Sequence, residues 1–428
     1  MFRISKPSFT KEAAQFIAKW ATELNPVEIP TPTNVLQEKE AWITAANHGI
    51  INNPTFHYRK SYLDQIAKIL PDFDRVSADL LDSITPRSSI DTATYEILQD
   101  RIKDTRSTIG LAIAIADGND HAAAEYTRRK YGRPSYDQSA TAQLLAAAGL
   151  DYHPYNYKSR FDASETEALS ALSFDANGIA KVFRMVLDYY GIKGWRIVID
   201  ANATSIDVRD KNSSGQPQIV IPVDRKVSGL KLVELTGHEL GCHLRNSENS
   251  RQLFTQILGA DSPLSPLIPL LAKPDDEKLY EGYAKMSDVM IAGEEALPKP
   301  YYTIAIEHAM HGESFASVAN YIYELYLAAG AEDSAAVKGA WLATYRTFRG
   351  VTDTTNPHCY AFGKDYGYLA GFNIVRELGS KHRWLDYASL TLIDIGRLRA
   401  AGVNFGNPKY PNLDVAGFVA NSLLYPEE

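Results

Sequence analysis

His238-Glu239-Leu240-Gly241-Cys242-His243, at the end of a helix-like run, holds two imidazoles with a carboxylate beside the first. On an ideal α-helix each residue advances about 100°, so an interval of five turns the second ring roughly 140° from the first, whereas an interval of four leaves roughly 40°. Both rings then reach one ion only if the helix absorbs an extra residue. A single π-type bulge does this, and such bulges recur at functional sites. Gly241, inside the interval, lowers the steric cost of the distortion. Two other readings need no bulge. In one, His238 and His243 are unrelated, one buried and hydrogen-bonded, the other solvated. In the other, Cys242, four residues after His238, joins it as a metal ligand on a regular helix.

Upstream of this run the hydrophobic period changes from that of a helix to that of a strand. Trp195-Arg196-Ile197-Val198-Ile199 reads as one strand, Ser205-Ile206-Asp207-Val208-Arg209 as a second and Gln218-Ile219-Val220-Ile221 as a third. Asn212-Ser213-Ser214-Gly215 is turn chemistry, so the last two should form a hairpin. Pro217 and Pro222 flank the third strand and place it at a sheet edge. Residues 227–245 follow as the helix bearing the histidines. Sheet, edge strand and metal-bearing helix is the order of a zincin upper half. There, histidines four apart in H-E-x-x-H bind zinc and the glutamate activates the water. An edge strand beside such a site can pair with an extended peptide.

The rest of the chain reads as mostly helical. Apolar residues recur at three-to-four spacing over residues 9–24, 35–48, 59–83 and 92–117, and Ser164-Glu165-Thr166-Glu167 has the spacing of a capping box. Further helices are expected over 176–190, from a cap at Asp275 or Asp276 to about 291, and over 299–329, 333–347 and 367–379. Between 259 and 274 the chain is Pro-rich and apolar, a lid or a structural connector. The fold class expected is therefore α+β, mostly helical: a helical N-terminal region over 1–160, then a zincin (gluzincin-like) core with a small sheet and a helical C-terminal part over 161–428.

A chain of 428 residues, 45% hydrophobic and 22% charged, has the profile of a soluble globular protein large enough for one big or two moderate domains. Its formal charge of −8 argues against a nucleic-acid partner, and Arg128-Arg129-Lys130 reads as a solvated helix face. Two cysteines, Cys242 and Cys359, make a disulfide framework improbable and point to a reducing compartment. Residues 1–7 lack the apolar core of a signal peptide, and residues 110–116 are too few to cross a bilayer. A cytoplasmic protein with no membrane partner is expected; the oligomeric state is not legible.

Two histidines need a third protein ligand to hold zinc with one position open for water. Carboxylates on the next well-formed helix are the source: Glu281 in Tyr280-Glu281-Gly282-Tyr283-Ala284, with Glu294 and Glu295 as rivals. Spacing alone does not separate them. A second pair, His308 and His311, reads as solvated helix histidines rather than another metal site.

His-Glu-x-x-x-His with Arg245 and Asn249, followed by Glu281-Gly282-Tyr283-Ala284, resembles the zinc carboxypeptidase-like family marked by H-E-x-x-x-H and a QEGLA motif. That family includes bacterial flavohemoglobin expression-modulating QEGLA proteins and the animal microtubule-associated tyrosine carboxypeptidases. Further landmarks fall in the same order: 53–58, 131–134, Trp195, Arg346-Thr347-Phe348-Arg349-Gly350, and Lys364-Asp365-Tyr366-Gly367-Tyr368-Leu369-Ala370-Gly371. The likeness thus covers roughly 50–380. It implies Zn2+ held by His238, His243 and Glu281, with Glu239 as the catalytic glutamate. Tyr280 and Tyr283 depart from the motif's glutamine and leucine.

The function expected is a zinc-dependent metallopeptidase, a carboxypeptidase releasing a C-terminal residue from a peptide or protein. The resemblance implies an aromatic one, Tyr or Phe. Tyr368 is the candidate oxyanion donor, and Arg346, Arg349 and Lys364 are the candidate cations for the terminal carboxylate. The alternative is a non-catalytic zinc-containing protein that binds peptides or regulates. Retention of Glu239 counts against it.

Overall fold

Among the described residues, apolar periodicity in the first third resolves into six helices: Pro7–Glu23, Val35–Ala46, Lys60–Ala67, Leu70–Ser83, Ser89–Ala116 and Asp120–Tyr131. The computed structural model describes residues 2–132, 158–201, 203, 205–209, 216–273, 277–298, 300–378, 383–406, 408–411 and 413–425. One expected helix, 59–83, is two. Pro71 has no N–H to bond the carbonyl of Ala67, so the first helix stops and Pro71 sits in the opening turn of the second. The run 299–329 likewise divides into Tyr301–Met310 and Phe315–Ala328 around Gly312, whose φ of +87° suits glycine. The capping box falls two residues earlier than expected. Asp162 accepts from Glu165 N while the Glu165 carboxylate returns to Asp162 N, opening Ala163–Ala171.

Three strands, β1 (Arg196–Asp200), β2 (Asp207–Arg209) and β3 (Gln218–Pro222), form one sheet in the order β1-β3-β2. β3 runs parallel to β1 and antiparallel to β2, with Val208 opposite Ile219. β2 and β3 pair as the hairpin expected, while their turn, 212–215, lies outside the described residues. The edge position expected for β3 is wrong: it is the central strand. Ile219, Val220 and Ile221 are all buried, the continuous apolar run of a strand covered on both faces. Pro217 precedes the strand and Pro222 ends it, so neither interrupts the ladder. The antiparallel edge belongs instead to β2.

After β3 the chain turns into α1 (Gly229–Thr236), whose Ser228 cap accepts from Lys231 N. The helix then widens into a π segment, Gly237–Leu244, and continues as α2 (Arg245–Leu258). β2 lies against this π segment. Two apolar clusters meet along it. Leu240 and Leu244 belong to the smaller, with β3, the helix Ala176–Tyr189 and the C-terminal helix Val415–Leu424. Leu253 and Phe254 belong to the larger, which joins the N-terminal helices to residues as far on as Phe405. The Pro-rich stretch forms short turns, Ser265–Leu267 and Ile268–Leu271, whose leucines are buried in that larger cluster, which is the work of a connector.

Glu277–Ala292, here α3, packs on Tyr366–Leu378, α4, at very short range. A Cβ on Gly371 would lie 1.7 Å from the Lys278 carbonyl oxygen, and one on Gly282 would lie 2.1 Å from the Gly371 carbonyl carbon. Glycine at both positions is what lets the backbones touch. The cap expected for α3, Asp275 or Asp276, lies outside the described residues.

Candidate metal centre

The π segment supplies what the five-residue interval requires. Widening the helix from Gly237 to Leu244 turns His243 back toward His238, and the two rings meet edge-to-face with centroids 4.7 Å apart. Gly237 is the glycine that matters most: a Cβ there would sit 2.6 Å from Ile291 Cδ1 of α3, whereas one on Gly241 would make ordinary contact with Val415 at 3.6 Å.

Glu281 reaches this pair from α3. Its Oε2 lies 3.5 Å from His243 Nε2 and 3.8 Å from His238 Nε2, and the donor atoms of all three residues fall within 4.8 Å of one another. A tetrahedron with bonds of about 2.0–2.1 Å has edges of about 3.3 Å, so the spacing suits one divalent ion. Glu281 Oε2 is buried and makes no hydrogen bond, and His243 Nδ1 has none either. A buried carboxylate oxygen without a hydrogen bond, aimed with two imidazole nitrogens at a shared point, is the donor set of a metal site. His238, His243 and Glu281 can therefore hold a metal ion.

A second carboxylate orients the first histidine. His238 Nδ1 lies 3.1 Å from both oxygens of Asp288, and Lys285 Nζ donates to Asp288 Oδ2 at 2.9 Å. Fixing Nδ1 in this way leaves Nε2 for the metal. Burial works to lower the His238 pKa, but the Asp288 charge and hydrogen bond overcome it and lift the ring to about 9. Burial works to raise Glu281, yet His243, Lys364 and His238 hold it well below the usual carboxylate range. Glu239 is also buried, which pushes its carboxyl up to about 6, against the opposing pull of both histidines. Its electrostatic neighbours include Asp207 of β2, so the edge strand borders this carboxylate.

Cys242 is not brought to the cluster. Its Sγ faces the Tyr283 carbonyl at 4.0 Å, and burial pushes the thiol up to about 12, far from the thiolate a metal needs. Glu294 is exposed on the turn Gly293–Ala296, and the Glu295 side chain lies outside the described residues. His308 pairs with Glu313 at 2.6 Å and packs on Tyr321 rather than building a second site. Tyr280, the departure from the family motif, stacks on His243 with centroids 4.0 Å apart, which holds that ring flat.

The substrate candidates divide. Lys364 Nζ lies 3.7 Å from Glu281 Oε1, on the oxygen turned away from the imidazoles. Tyr368 is near enough for the charges of Glu281, Lys364 and Arg346 to act on it, and burial raises its phenol far above the ordinary range. Arg346 closes its planar fork on Asp365, through Nε at 2.8 Å and Nη2. Arg349 is buried over the Phe362 ring at 4.7 Å and donates to the Arg346 carbonyl. Arg346 is thus engaged by Asp365, while Arg349 keeps one buried guanidinium nitrogen, Nη2, without a hydrogen bond.

Asp288 was missed from the sequence although a signal existed. It follows Glu281 by seven residues, two helical turns, and so shares its face of α3. Among the described residues no helix is long and apolar enough to cross a membrane. No protein-family model, curated protein or solved structure matches the chain.

Proposed function

We propose that the chain is a zinc-dependent metallopeptidase of the H-E-x-x-x-H/QEGLA type, acting as a carboxypeptidase on a peptide or protein C-terminus. The observation that carries the reading is that Glu239 shares the π segment with His238 and His243 while Glu281 completes the donor set from α3. Imidazole, imidazole and carboxylate are the ligands of hydrolytic zinc, and they leave a coordination position open. The same residues favour zinc over a harder ion such as magnesium, which prefers oxygen donors.

Zinc, when bound, supplies Lewis acidity toward a water and the scissile carbonyl. Glu239 takes the proton of that water, and its raised pKa of about 6 suits a base at near-neutral pH. The Tyr368 phenol, held protonated by burial, is the donor toward the oxyanion. Lys364, already paired with the outer oxygen of Glu281, is the cation for the terminal carboxylate. β2, an antiparallel edge beside Glu239, is the strand on which an extended substrate pairs, as in a gluzincin. Both cysteines are unpaired, in keeping with a reducing, cytoplasmic setting.

The test is zinc content of the purified protein together with release of a terminal residue from peptides ending in Tyr or Phe. Bound zinc and turnover that is lost in Glu239→Gln support the enzyme. Zinc with no turnover overturns the catalytic reading in favour of a binding protein.

A further inference from the structure

A cleft of about 710 Å3 lies beside the metal cluster, with Lys364 forming part of its wall. In a chain of net charge −8, this cleft is positive: among the described residues Lys103, Arg106, Arg129, Lys130, Lys278 and Lys364 line it against Asp100 and Asp104. Both carboxylates are already engaged. Asp104 takes Lys130 on its two oxygens at 2.6 and 2.7 Å, and Asp100 accepts from Arg397 at 2.7 Å and Lys103 at 3.3 Å. Two of the cations are held only by solvent-exposed partners outside the cleft, Arg106 by Asp74 and Arg129 by Glu125. Such surface pairs are weak and exchange readily for a better anion.

The cations arrive from four separate pieces of chain: the helices Ser89–Ala116 and Asp120–Tyr131, α3, and the turn Gly363–Asp365 ahead of α4. The Gly282–Gly371 contact brings the last two together, because it sets Lys278 and Lys364 on neighbouring backbones. Charges that ring a concavity from several sides suit a compact, multiply charged anion, where a linear acidic peptide needs charges along a groove. The volume falls within the range of small-ligand pockets, and ammonium and guanidinium groups match phosphate oxygens.

We propose that this cleft binds a compact oligophosphate, free or carried by a nucleotide. The cleft shares Lys364 with the peptidase reading and does not otherwise depend on it.

The test is calorimetric titration of the full chain with inorganic tripolyphosphate, with ADP and with triglutamate. Tripolyphosphate or ADP should bind, more weakly as salt rises from about 50 to about 300 mM. Preference for tripolyphosphate identifies a free oligophosphate, and preference for ADP a nucleotide-borne one. Lys103→Gln and Arg129→Gln, on side chains 74% and 64% exposed and therefore compatible with folding, should each weaken binding roughly three- to tenfold. His243→Ala should bind the anion as the parent does, which separates this site from chelation at the metal cluster. No binding below about 1 mM, undiminished binding in the Lys103→Gln/Arg129→Gln double variant, or tighter binding of triglutamate overturns the proposal.

Discussion

His238 and Asp288, fifty residues apart in the chain, meet so that one imidazole N–H faces both oxygens of a buried carboxylate at 3.1 Å. The contact sets which nitrogen of His238 is left for an ion, and it couples the π segment to α3. Substituting Asp288→Asn should leave the fold intact and weaken zinc binding roughly 10- to 100-fold. Competition against a chromophoric chelator measures this; unchanged affinity would show that Asp288 serves only packing.

The same pair gives the metal-free protein a pH signature. A histidine raised from 6.5 to about 9 adds stability that is fully present below about 6.5 and fades as pH rises through about 9. The melting temperature of the metal-free protein should therefore fall across that window, and the fall should flatten in Asp288→Asn. Zinc requires the neutral ring, so its affinity should climb over the same window. A parent profile identical to that of Asp288→Asn contradicts the assignment.

Ligand choice is tested by comparing His243→Ala with Cys242→Ser. The first should abolish stoichiometric zinc, and the second should retain it, because the Cys242 thiol faces the Tyr283 carbonyl. In the native protein a thiol reagent should modify exposed Cys359 and spare buried Cys242. Zinc lost only in the cysteine variant reverses the choice.

The crossing of α3 and α4 tolerates no side chain. Gly371→Ala puts a methyl 1.7 Å from the Lys278 carbonyl oxygen, so the helices must separate. A loss of about 3 kcal/mol is expected from such overpacking, with a melting temperature lower by roughly 3–4 °C. Zinc content should fall too, since Glu281 rides on α3. Calorimetry and metal analysis check both. A variant as stable as the parent would mean that the contact is looser than described.

The reading from sequence succeeded where one local rule decided the outcome. An interval of five between His238 and His243 has few geometric solutions if both rings face one point, and the π segment is one of them. It failed where two rules competed. Pro217 and Pro222 argued for an edge, but the apolar run Ile219-Val220-Ile221 is what a strand covered on both faces looks like, and the prolines fall only at its ends. The pairing of Arg346 with Asp365, distant in sequence, was not legible either. Side-chain pairing across elements of this kind leaves no periodic trace. Asp288 did leave one, seven residues after Glu281, and a helical-face count would have found it.

X-ray absorption at the zinc edge of the purified protein addresses the donor set itself. Two imidazole nitrogens and one carboxylate oxygen at about 2.0–2.1 Å, with no sulfur, are expected in the parent, and one imidazole fewer in any His243→Ala protein that retains metal. A sulfur shell at about 2.3 Å, or a parent protein that binds no zinc, contradicts a centre built from His238, His243 and Glu281.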